Sequence, residues 1–113
     1  MNNIKNRVHL IGRLGMDPEV KDLDGGKKLA KFSVATNDYY YNAKGEKVTE
    51  TQWHNIIALG KMAELVDKIL VKGKEVALEG KLSSRSYEDA KGDKRYVTEI
   101  IANEFVLLGK KAD

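Results

Sequence analysis

One change of period constrains this chain more than any other feature. Thr51 to Leu59 reads as a strand, stops at Gly60, and gives way at once to a helical pattern over 61–71. There Met62, Leu65, Val66 and Ile69 recur at i, i+3, i+4 and i+7, one apolar stripe of a helix. Glu64 precedes Lys68 by four residues, the favourable order for a surface ion pair. Lys72 falls where a cation suits the helix dipole, and Gly73 where a C′ glycine ends a helix. The chain must therefore seat one short helix between strands.

The rest reads as β. Arg7 to Gly15 is strand one, with Val8, Leu10 and Leu14 on one side and Arg7, His9, Ile11 and Arg13 on the other. The second side is only half polar, so it is expected to be covered by another subunit. Pro18 breaks the strand, and 21–28 is a polar connection turning at Gly25-Gly26. Strand two, 29–36, sets Ala30, Phe32 and Val34 against Lys31 and Ser33 with period two. A long polar hairpin loop over 37–50, carrying Tyr39-Tyr40-Tyr41, leads into strand three, 51–59. After the helix, strand four (74–82) alternates Val76, Leu78 and Leu82 with Glu75, Ala77, Glu79 and Lys81, and runs on to Tyr87. A turn at 88–93 then returns the chain as strand five, 94–108.

Five antiparallel strands with a helix between the third and fourth is the order of an OB-fold, an all-β Greek-key barrel with one α-helix. At 113 residues the chain suits one such domain, expected over 1–109, with a short polar end at 110–113.

Little here supports catalysis. The chain has no cysteine, its two histidines lie far apart without ligand spacing, and no P-loop motif occurs. Asp17, Glu19, Asp22 and Asp24 read as a solvated surface among lysines. No catalytic residue, metal or cofactor is expected, and the chain does not read as an enzyme. No apolar run approaches the ~20 residues that cross a bilayer, so no membrane contact and a cytoplasmic, nucleoid-associated location are expected. The net charge of +3 leans mildly toward anionic partners.

The aromatics are more informative. Three consecutive tyrosines cannot all point into one barrel. Tyr87 follows Arg85 among Ser83, Ser84 and Ser86, with nothing apolar to pack on, which suits a platform for stacked bases; a tyrosine that merely covers the hairpin is the competing reading. Trp53 shares a strand face with Asn55, Ile57 and Leu59, while His54 shares the other with Ile56 and Ala58. If the His54 face is core or interface, Trp53 stands outward; a packed core tryptophan is the competing reading.

Several motifs together carry a family resemblance. They are Asn6-Arg7-Val8-His9-Leu10-Ile11-Gly12-Arg13-Leu14-Gly15-Met16-Asp17-Pro18-Glu19, Phe32-Ser33-Val34-Ala35-Thr36, and Thr51-Gln52-Trp53-His54-Asn55. Gly60-Lys61-Met62-Ala63-Glu64, Lys72-Gly73, Glu79-Gly80-Lys81-Leu82 and Arg95-Tyr96-Val97-Thr98-Glu99 follow in order. Over nearly its whole length the chain resembles the bacterial single-stranded DNA-binding proteins of the OB-fold, replication type, and most the Bacteroidetes branch. The resemblance implies sequence-independent binding and protection of single-stranded DNA in replication, recombination and repair. It also implies a homotetramer built as a dimer of dimers.

By position, Trp53, Tyr40 and Tyr87 fall where the family places stacking residues, and Lys61, Arg85, Lys72 and Lys21 on basic positions of the DNA path. Leu59 stands where members often carry an aromatic, so one platform is aliphatic. Asn55, Ser83 and Ser86 replace residues that are basic in some members. His54, with His9 and Ile11, falls to subunit assembly. The family's flexible linker and acidic tip are not among these residues, which stop at Asp113, so recruitment of proteins through a tail is not expected. The readings from other classes are a primosome-type adaptor or scaffold that binds mainly proteins, and an OB-fold nuclease.

Overall fold

A computed structural model of the chain describes residues 5–109; the polar end expected over 110–113 lies outside them. The elements are β1 (Val8–Leu14), β2 (Glu19–Asp22), β3 (Lys28–Tyr41), β4 (Lys47–Leu59), α1 (Lys61–Ile69), β5 (Glu75–Glu88) and β6 (Lys94–Leu107). Strand neighbours run β1-β5-β6-β4-β3-β2, and β3 pairs back to β1 through Arg13↔Ala35 and Leu14↔Val34. That last pairing closes β1, β3, β4, β5 and β6 into the expected OB barrel with one helix.

One pairing differs from an all-antiparallel set. β4 and β6 run parallel at Ile56↔Ile100 and Ile57↔Ile101. The cause is α1, which carries the chain across the barrel end so that β5 enters beside β1 instead of β4. The hairpin partner of β5 then meets β4 in the same direction. Strands β3, β4, β5 and β6 supply Phe32, Val34, Ile56, Val76, Leu78 and Ile100 to a single core.

The hand-over at Gly60 is as sharp as the sequence requires. Gly60 sits at φ 62°, ψ −128°, a conformation open to glycine, and its N–H donates to the Lys28 carbonyl (2.9 Å). Its carbonyl accepts the N–H of Glu64 at 3.1 Å, opening the helix. The stripe is rotated from the expected one. Ala63, Val66 and Leu70 are buried, whereas Leu65 and Ile69 are exposed. A small residue at 63 lets the helix axis approach the barrel end, and Leu70 leaves helical angles to drop its side chain into the core. The helix therefore ends at Ile69, and Gly73 belongs to the following turn, where Lys74 N–H donates to Val71 O. Leu82 is also exposed, because β5 has left the core there after a bulge at Glu79/Gly80.

Two regions read as connections are ladders. β2 pairs with 28–31 of β3 across a 3₁₀ turn at Asp24–Gly26. Residues 37–41 pair with 47–51, so most of the expected loop is a two-stranded arm closed by Asn42. The Asn42 side-chain carbonyl accepts the N–H groups of Lys44 and Glu46, both at 2.9 Å. β5 and β6 form a second arm, closed by Asp89, whose carboxylate accepts from Lys91 N–H, Asp93 N–H and Arg95 Nε. The Arg95 guanidinium and these N–H groups hold the Asp89 carboxyl below its ordinary range. The arms explain a radius of gyration of 16.4 Å where a compact chain of this length would give roughly 13 Å.

Candidate nucleic-acid interface

Strand register decides which side chains share a surface. Val34↔His54, Phe32↔Ile56 and Ala30↔Ala58 face the interior side of the β3–β4 pair. Ala35↔Trp53, Ser33↔Asn55, Lys31↔Ile57 and Leu29↔Leu59 face outward. Trp53 is 60% exposed, so the outward reading of this residue holds and the core reading fails. From Trp53 to Leu59 the row spans roughly 20 Å at strand spacing.

Trp53 is nonetheless held. A Cβ built on Gly15 would stand 2.3 Å from Cζ3 and 2.8 Å from Cη2 of the indole. Gly15 N–H donates to Ser33 O (3.1 Å), which fixes this close approach beside β3. Gly15, the last residue of strand one in the sequence, thus seats the tryptophan. Gly15→Ala is expected to push the ring toward water and shift its emission to the red. The cost to folding should be about 1 kcal/mol, the low end of overpacking, because the exposed ring can yield. An emission spectrum and a urea melt check both; an unchanged spectrum would mean that the ring is not seated on Gly15.

The outward row forms the floor of a groove. Its wider part, about 430 Å³, is lined by Lys21, Leu23, Lys31, Ile57, Leu59 and Arg85 among others. A second part, about 300 Å³, is lined by Lys31, Asn55, Arg85, Tyr87, Val97 and Glu99. The β5–β6 arm thus supplies one wall and β2 the other. Arg85 and Glu99 line both parts. Arg85 Nε donates to Glu99 Oε1 at 3.0 Å and Nη2 to Oε2 at 3.3 Å, a fork on a carboxylate only 7% exposed. The hydrogen bonds and charge of Glu99 push the guanidinium above its already high ordinary pKa, so Arg85 is a permanent cation with a committed partner.

The structure therefore brings together Leu59, Tyr87, Arg85 and Lys21 along one groove, with Trp53 on the same outward row beyond Asn55. It leaves others elsewhere. Alternation places Tyr40, opposite Val48, on the arm face away from Trp53, and puts Tyr39 and Tyr41 on the Trp53 face. Those two rings meet edge to face at 6.0 Å, and Lys47 Nζ lies 4.3 Å from the Tyr39 centroid. Sequence reasoning missed this cluster because it took the arm for a loop; period two carried through 37–41 would have found it. Lys61 opens α1 beyond Leu59. Lys72 lines a separate basic cleft with Arg13 and Lys74, its N–H donating to Asp17 Oδ1 at 2.8 Å.

His9 and Ile11 lie on the outer side of β1, across from Glu79 and Ala77 of β5. Ile11 is 62% exposed, in a row with Ala77 and the exposed Val106. His9 Nε2 is 3.6 Å from Glu79, which also takes the Arg7 guanidinium at 2.8 Å. His54 is apart from them, half-buried, with Nε2 3.0 Å from Thr36 Oγ1. Among the described residues no three His, Cys, Asp or Glu side chains gather as metal ligands. Nor is any helix among them long and apolar enough to cross a membrane.

Comparison with known proteins gives consistent matches. The model of the single-strand binding protein family matches residues 5–108. A single-stranded DNA-binding protein of Bacteroides thetaiotaomicron is 46% identical over 94% of this chain and 67% of its own length. One from Neisseria meningitidis is 44% identical over 92% of this chain and 60% of its own. The chain thus spans about two thirds or less of these relatives. A solved Plasmodium falciparum SSB in complex with ssDNA superposes with a TM-score of 0.86 at 34% identity, covering 96% of this chain and all of that one.

Proposed function

This chain belongs to the single-strand binding protein family, and we propose that it binds single-stranded DNA without reading its sequence. Protection of exposed strands in replication, recombination and repair is the role that follows. The observation that carries the reading is the outward row, on which an exposed Trp53 leads into a groove walled by Tyr87 and supplied with Lys21 and Lys31. Bases stack on the aromatics at about 1–3 kcal/mol each, and lysines take phosphate, so binding falls as salt rises. The test is a native-gel titration of oligo-dT against rising salt, with a duplex of equal length as competitor. Retardation that salt reverses and duplex barely competes supports the reading; equal competition by duplex contradicts it.

We also propose that the protein works as a homotetramer, a dimer of dimers, with His9 and Ile11 in the contact between copies. The support is the apolar row Ile11–Ala77–Val106 on a sheet face that the single chain leaves open. His54 acts from behind the sheet, by fixing β3 against β4 through Thr36. Ile11→Lys is expected to shift sedimentation toward smaller species without unfolding the barrel, since this side chain is outside the core. An unchanged sedimentation profile across concentration would place the contact elsewhere.

A further inference from the structure

Glu99 is out of place in a groove meant for a polyanion. Among the described residues it is the one buried charged side chain, and it sits where the two parts of the groove join. A bare carboxylate there would repel phosphate. Its partner Arg85 lines both parts of the groove, as Lys31 does, yet both oxygens of Glu99 hold it in a fork. If Arg85 swung out to a phosphate, Glu99 would be left buried and unpaired, a strongly unfavourable state. The exchange is therefore blocked.

We propose that Glu99 is a positioning residue for the single strand, holding Arg85 as a neutralised pair so that Lys31 alone is left to take phosphate where the two parts of the groove join. The guanidinium plane, beside Tyr87 and Val97, then offers bases a flat surface, and phosphate is gripped by Lys31 on the floor and Lys21 in the wall. The grip at the centre consequently carries one phosphate contact fewer than its two cations would otherwise make, and a correspondingly shallower dependence on salt. This inference rests on the single-strand reading above.

Glu99→Gln tests it, because the amide oxygen still accepts from Arg85 while the countercharge is gone. Titrating parent and variant with oligo-dT over a salt series should give the variant a plot of log affinity against log salt steeper by about 0.7, one added phosphate contact on a single strand. Its gain over the parent should then shrink roughly 2.5-fold between 50 and 200 mM salt. A second pair reads the same coupling. Arg85→Ala leaves the carboxylate facing the strand, so adding Glu99→Gln to it should recover affinity. An unchanged slope in Glu99→Gln, or equal affinities for Arg85→Ala with and without Glu99→Gln, would overturn the proposal while the parent still binds. A parent that fails to bind would overturn the single-strand reading, and this inference with it.

Discussion

Replacing Trp53 by alanine is expected to weaken single-stranded DNA binding by about 1–3 kcal/mol, roughly 5- to 150-fold in affinity. The residue has an exposed π-face on the groove row, and its ring position is fixed by contact with Gly15. Fixing the ring beforehand lowers the ordering cost of each stacked base. Folding should change by less than about 1 kcal/mol, as for most exposed positions. Leu59→Ala, at the far end of the same row, should cost binding less, since an aliphatic side chain offers contact area without a π-face. Anisotropy of a labelled oligo-dT strand measures both variants. Equal losses would mean that Trp53 contributes packing and not stacking.

The opposite result is expected three residues along the strand. Ile56 faces the interior, fully buried opposite Phe32. Ile56→Ala should cost about 2–5 kcal/mol of stability through lost transfer energy and a residual cavity. The folded fraction should still bind DNA with the parent affinity, because nothing on the outward row is removed. A urea melt gives the first quantity and a titration under folding conditions gives the second. Loss of affinity in the folded fraction would show that the two faces of β4 are coupled.

That split between faces was legible in the sequence because β4 has a core on one side only, so its parity carries hydrophobic contrast. The same contrast is missing wherever water touches both sides. Residues 37–50 look like a loop for that reason, although a backbone ladder holds them as an arm. Tyr40 was singled out by family position alone, and without the ladder the sequence could not show that Tyr39 and Tyr41 share the Trp53 face. The helix was legible in existence but not in rotation, since Ala63 scores as a weak apolar residue while the barrel end selects it for its size. The Arg85–Glu99 fork is fourteen residues apart in the chain. Only the arm register, which sets Arg85 opposite Val97, brings the two groups within reach.

The most direct test of the central claim, that bases stack on an outward Trp53, is its own fluorescence. As the only tryptophan in the chain, it reports without ambiguity. Saturating the protein with poly-dT should strongly quench its emission, and raising the salt should restore it as the strand dissociates. Emission that stays unchanged at stoichiometric DNA, while a labelled strand shows binding, would contradict the account.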